Sequence, residues 1–122
     1  MTGYKKVRCF RIVKNDEEDS VSIIDKYDNI HIIPSTEKLG IATVKTPPIS
    51  EIIYLDQEVR SPHLHVEEIK DFDDKIIDDD YRCYANAYRF IVGKTTYSEK
   101  RLYPGIHFDW TVDQAKKDKY YY

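Results

Sequence analysis

The feature that most restricts what this chain can fold into is its choice of side chains. Ile, Val, Thr and Tyr together number 41, against 9 for Leu, Ala and Met. β-branched and aromatic side chains suit a pleated surface, whereas unbranched ones are the easy helix formers. The expectation is a mainly β (α+β) domain, a small antiparallel sheet or partly open barrel with one short C-terminal helix. With 122 residues the chain has the length of a single domain, residues 1–122.

Local patterns agree. Residues 4–14 alternate, with Val7, Cys9, Arg11 and Val13 on one side and Phe10 and Ile12 on the other. The run Asp16-Glu17-Glu18-Asp19 reads as a solvated loop. Segments 21–25 and 29–33 read as a hairpin around Lys26-Tyr27-Asp28, which puts His31 on the face of Ile33. Residues 39–45 form a strand closed by Pro47-Pro48, and 51–55 are a short strand or a helical turn. Residues 63–69 fit a strand in spite of Glu67 and Glu68, the charged segment 71–80 fits a surface loop, and 81–92 reads as the longest strand. Thr111-Val112-Asp113-Gln114 fits a capping box, and Lys116, Lys117 and Lys119 complement a helix dipole, so a helix is expected over about 112–119.

Charge is unevenly distributed. Residues 67–80 carry 2 basic and 8 acidic side chains, while residues 81–122 carry 8 basic and 4 acidic ones, together with 8 of the 11 tyrosines. The net charge of −3 excludes a globally basic nucleic-acid binder, so a duplex nucleic-acid partner is not expected. No apolar stretch approaches the ~20 residues of a bilayer span, so no membrane partner is expected either. Cys9 and Cys83 are too few for a disulfide framework. They read as small buried hydrophobes in a reducing, cytoplasmic compartment.

Basic side chains interleaved with aromatics suit a planar anionic ligand, because the cations meet phosphate and the rings stack on bases. The candidates are Arg82, Tyr84, Asn86, Tyr88, Arg89, Arg101, Tyr103, His107 and Trp110. On one continuous strand Arg82, Tyr84, Asn86 and Tyr88 share a face and Arg89 takes the opposite one. The bland alternative is the wet face of a half-buried sheet.

His63-Leu64-His65 has metal-ligand spacing, since His63, His65 and Glu67 fall on one strand face, and His107 is a remote third imidazole. The His-x-His plus distant His pattern is similar to the metal site of the cupin barrels, which would imply Zn²⁺ or Fe²⁺ as a cofactor. Neither Glu67 nor Glu68 stands at the cupin glutamate's distance. No Gly-x-Ser-x-Gly, phosphate loop or dinucleotide fingerprint is present. The expectation is therefore no catalysis and no organic cofactor.

The segment Leu102–Thr111 is the least generic. Pro104-Gly105 makes a turn, Ile106 and Phe108 face the core, and His107 and Asp109 face the other way. Gly105-Ile106-His107-Phe108, followed by Thr111 and Gln114-Ala115, resembles the closing motif of an uncharacterised domain of phages and large DNA viruses that often accompanies pentapeptide repeats. Arg82-Cys83-Tyr84-Ala85 resembles the strand preceding it. The chain departs in having Asp109-Trp110 where a second Phe is usual, and in lacking the repeats.

The resemblance covers roughly residues 81–118. It implies a viral or phage origin, a host-cytoplasm location and a compact β-plus-helix module, and it brings no catalytic residues. The first expectation is a non-enzymatic accessory module binding a host protein or sequestering a small nucleotide-like anion. A metal-binding cupin-like enzyme and a structural, homo-oligomer-forming subunit are the alternatives.

Overall fold

The computed structural model describes residues 1–13, 17, 18, 20–24, 30–34, 37–55, 57–86, 88–98 and 104–118. Its centre is β1 (Thr2–Val13), antiparallel to β5 (Glu37–Lys45) on one side and β9 (Tyr81–Ala85) on the other. β5 pairs with β8 (His63–Asp71), β8 with β11 (Thr95–Tyr97), and β9 with β10 (Tyr88–Phe90). The order β10-β9-β1-β5-β8-β11 curls until its two ends approach, and Thr96 Oγ1 donates to the Arg89 carbonyl at 2.9 Å. The result is a nearly closed six-strand barrel.

Period-two alternation sends Gly3, Lys5, Val7 and Cys9 of β1 inward. They meet Ala42 and Val44 of β5, Leu64, Val66 and Ile69 of β8, and Cys83, Ala85 and Phe90 of the β9–β10 pair. Along β8 the buried positions run 64, 66, then 69, because the register against β5 slips between Thr43 and Val44. That irregularity passes over Glu67, leaves it exposed and restores Ile69 to the core. The two glutamates are thus compatible with a half-buried strand.

Three sequence expectations are corrected. Glu17–Glu18 form a two-residue strand, β2, on the end of β1 (Ile12↔Glu18, Val13↔Glu17) rather than a loop. Residues 81–92 are not one strand. Asn86 adopts φ 54°, and the chain reverses there into the β9–β10 hairpin. Cys9 and Cys83 are not free thiols. They stand directly opposite each other on β1 and β9 and form a disulfide, so the expectation of a reducing compartment loses its basis.

β3 (Ser20–Ile24) and β4 (Ile30–Pro34) form the expected hairpin, whose turn lies outside the described residues. Residues 49–55 combine both readings, a 3₁₀ turn (Ile49–Glu51) and β6 (Ile53–Leu55). β6 pairs with β7 (Glu58–Ser61), and β7 with β12 (Ile106–Phe108). This small sheet packs at the barrel end that carries Lys5, its last strand lying beside β1. A Cβ on Gly3 would stand 2.5 Å from the Phe108 ring, so only glycine lets β12 come this close. Gly105, at φ +81°, presses its turn onto the Ser61 backbone in the same way.

Helix α1 (Val112–Lys117) follows as expected. The Thr111 side chain accepts from the Gln114 amide at 3.2 Å, Asp113 lies in the first turn, and Lys116 and Lys117 lie in the last. Among the described residues, no helix is long and apolar enough to cross a membrane.

Candidate metal centre

Lys5 pairs with Ala42 on the inward face of β1 and is 1% exposed, so its amine points into protein rather than water. Such burial is rare for lysine unless polar partners surround it. Three elements supply them. β12 carries His107, 6% exposed, opposite Arg60 on β7. Asp109 closes a two-way backbone bridge with Tyr4, donating from its amide and accepting at its carbonyl, each at 2.8 Å. That bridge sets Asp109 beside the residue preceding Lys5. Asp118 arrives from the C-terminal end of α1, held by Lys6, whose ammonium donates to the Asp118 and Lys116 carbonyls at 2.7 and 3.4 Å. Lys6 therefore does at the helix end what a basic residue in the last turn normally does.

The polar groups converge closely. Lys5 Nζ lies 3.2 Å from His107 Nδ1. His107 Nε2 is 3.8 Å from Asp109 Oδ1, and His107 Nδ1 is 3.8 Å from Asp118 Oδ2. One potential ligand atom from each of His107, Asp109 and Asp118 falls within 4.8 Å of the others. Arg60 borders the group, its guanidinium held by Glu58 at 3.0 Å and by the Pro104 carbonyl at 3.2 Å.

The electrostatics follow from burial and proximity. Burial, aided by the Lys5 charge, pushes His107 down to about 4, so the imidazole is neutral at pH 7. Lysine only donates, so Nδ1 accepts and the ring proton resides on Nε2. Burial raises Asp109 to about 7, reinforced by a hydrogen bond with Asp118 and by that residue's charge. Asp109 therefore keeps its proton up to about pH 7 and directs it toward Asp118. Burial lowers Lys5 to about 8 against the pull of Asp118 and Asp109. Among the described residues no donor reaches Oδ2 of Asp109 or of Asp118. A neutral imidazole beside two carboxyls with open oxygens is a donor set for a divalent cation.

Only His107, among the imidazoles expected to bind metal, belongs to this group. His63 and His65 lie on the outward side of β8, where His65 Nδ1 hydrogen-bonds Thr95 Oγ1 at 2.9 Å and the His63 ring packs 5.9 Å from Tyr97. His63 and His65 share one strand face, but that face meets β11 rather than His107, and the register slip falls at Glu67.

The ligand-binding candidates also disperse. Arg101 and Tyr103 lie outside the described residues. Asn86 is the exposed turn residue, and Trp110 sits edge-on to Phe108 at 4.8 Å against the core. The hairpin reverses the expected faces. Arg89 stands opposite Tyr84 and so shares the outward face of Arg82 and Tyr84, while Tyr88, opposite Ala85, packs against the core. Arg82 and Arg89 both line a cavity of about 280 Å³ at the barrel end remote from Lys5.

Sequence reading missed Lys5 and Asp118. It did align Asp109 with His107, and that alternation was the available signal. The chain matches no protein-family model, no curated protein and no solved structure.

Proposed function

We propose that this β-barrel domain binds a divalent transition metal, Zn²⁺, Mn²⁺ or Fe²⁺, through His107, Asp109 and Asp118. The convergence of three potential ligand atoms within 4.8 Å, with two buried carboxylate oxygens lacking donors, carries this reading. Imidazole favours Zn²⁺ and Fe²⁺, and carboxylates draw the preference toward harder ions such as Mn²⁺. Lys5 holds the site in its metal-free form, its ammonium supplying the positive charge that the ion then replaces. Metal uptake displaces the Asp109 proton and moves the Lys5 amine away from Nδ1. Binding is therefore coupled to proton release and strengthens above pH 7.

The metal-binding alternative drawn from the sequence is thus supported better than the anion-binding module, with a different ligand set. The Gly105-Ile106-His107-Phe108 likeness adds the proposal that the chain is a viral accessory domain whose motif histidine is a metal ligand. Whether the metal serves catalysis or structure follows from the open coordination positions left by three protein ligands. Elemental analysis of protein purified without a His-tag and dialysed against each ion at pH 8 tests the reading. About one equivalent of metal is expected, and less than about a tenth of an equivalent refutes it.

A further inference from the structure

The acidic stretch 67–80 contains one aromatic residue, Phe72, and its ring lies outside the core cluster. Phe72 sits in the turn that follows β8. That turn is pinned, since the Asp71 amide donates to the Lys75 carbonyl at 2.8 Å and Asp71 Oδ1 accepts from the Asp73 and Lys75 amides, each at 2.9 Å. Two ammonium groups from different elements meet the ring it presents. Lys6 Nζ of β1 lies 5.9 Å from the centroid and Lys116 Nζ of α1 lies 5.5 Å from it, both within cation–π reach. Lys116 also donates to the Phe72 carbonyl at 3.4 Å. Lys6 is the residue whose ammonium holds the Asp118 carbonyl at 2.7 Å. Helix α1 has six residues, of which Ala115 is the buried one. A helix that short has little stability of its own, so contacts of this kind decide where it rests.

We propose that Phe72 is a positioning residue for the metal centre, a role that rests on the metal reading above and extends it. The ring gathers Lys6 and Lys116, and these two lysines fix the C-terminal end of α1 against β1. That end carries Asp118 to His107 and Asp109. Phe72 acts on the metal only through the two lysines, as an outer support that orients one ligand. The acidic turn after β8 thereby gains a function that its charge alone does not give it.

Calorimetric titration of the metal-free chain with Zn²⁺ at pH 8 tests this in the wild type, Phe72→Leu, Phe72→Tyr and Lys116→Met. Phe72→Leu keeps apolar bulk but removes the ring face, and affinity should fall about ten-fold or more, as when a ligand loses its outer support. Phe72→Tyr keeps the ring and should stay within about two-fold of the wild type. Lys116→Met should match Phe72→Leu, and combining the two should add little, because both open the same latch. Amide hydrogen exchange of the metal-free proteins gives a second reading. Exchange at Ala115 and Asp118 should be about ten-fold faster in Phe72→Leu, with the β1 and β5 amides unchanged. A wild type that takes up no Zn²⁺ refutes the metal reading and this proposal with it. Where the wild type binds, equal affinity in Phe72→Leu, an equal loss in Phe72→Tyr, or unchanged exchange at Ala115 and Asp118 overturns the positioning role alone.

Discussion

Lys5 and His107 are 102 residues apart in the chain, yet Lys5 Nζ lies 3.2 Å from His107 Nδ1. The contact joins the inward face of the central barrel strand to the small outer sheet. It also fixes the imidazole's tautomer at the point where the two aspartates converge.

The Lys5 charge is the second cause of the low His107 pKa, after burial. Lys5→Met removes the charge and keeps most of the buried volume. The His107 pKa should rise from about 4 while staying below the ordinary 6.5, since burial persists. A pH titration of the imidazole ¹⁵N shifts reads this directly, and an unchanged pKa would show that the contact is not electrostatically important.

Asp109 predicts a pH-dependent stability whose sign is fixed. Its folded pKa, about 7, lies above the unfolded value, so its contribution is full below about pH 4 and is lost as pH rises through 7. His107 acts oppositely, being depressed to about 4, so its contribution is present above 6.5 and lost on acidification. The two offset one another over about pH 4 to 6.5. Asp109→Asn deletes only the first, so the variant's stability relative to wild type should rise from pH 5 to pH 8 and level off. Urea unfolding of the metal-free proteins at several pH values checks this.

Lys5 adds a third effect at higher pH. Its pKa of about 8 lies below 10.5, so its contribution is present above pH 10.5 and lost as pH falls through 8. Stability should therefore gain between pH 8 and 10.5 relative to Lys5→Met, provided other groups titrate alike in both proteins. Paired urea titrations over that interval measure the difference.

The disulfide joins residues 74 apart. Closing a loop of that size removes unfolded-state entropy worth about 4 kcal/mol in the chain-entropy model. Cys9→Ala/Cys83→Ala should lose stability of that order in urea unfolding. The protein treated with reductant should move in the same direction.

Much of the barrel could be read from the chain because its strands carry the β-branched alternation that their burial demands, as in 39–45. The helix was readable because its cap is local, Thr111 and Gln114 standing three residues apart in sequence. What was not readable depends on pairing between distant segments. Nothing local distinguishes Lys5 from Lys6, yet one lies inside the barrel and the other caps α1. The reversal at Asn86 moved Arg89 to the face of Tyr84, because one positive φ at a turn changes the facing of every residue beyond it. The Cys9–Cys83 pairing needed the β1–β9 register, and Asp118 was hidden among helix-end charges.

Gly3→Ala tests the close approach that holds β12 against β1. The new Cβ would stand 2.5 Å from the ring of Phe108, which is fully buried and has no room to turn away. The cost should be about 1–3 kcal/mol of stability, the usual range for an overpacked core. Metal affinity should fall as well, because β12 carries His107.

The most direct test of metal binding by His107, Asp109 and Asp118 is a calorimetric titration with Zn²⁺ at pH 8. It should compare the wild type, His107→Ala, Asp118→Asn and His63→Ala/His65→Ala. One site is expected in the wild type, with a proton-release signature that varies with buffer. That site should be lost in His107→Ala and Asp118→Asn and kept in His63→Ala/His65→Ala. Absence of binding in the folded wild type, or a site lost only with His63 and His65, would contradict it.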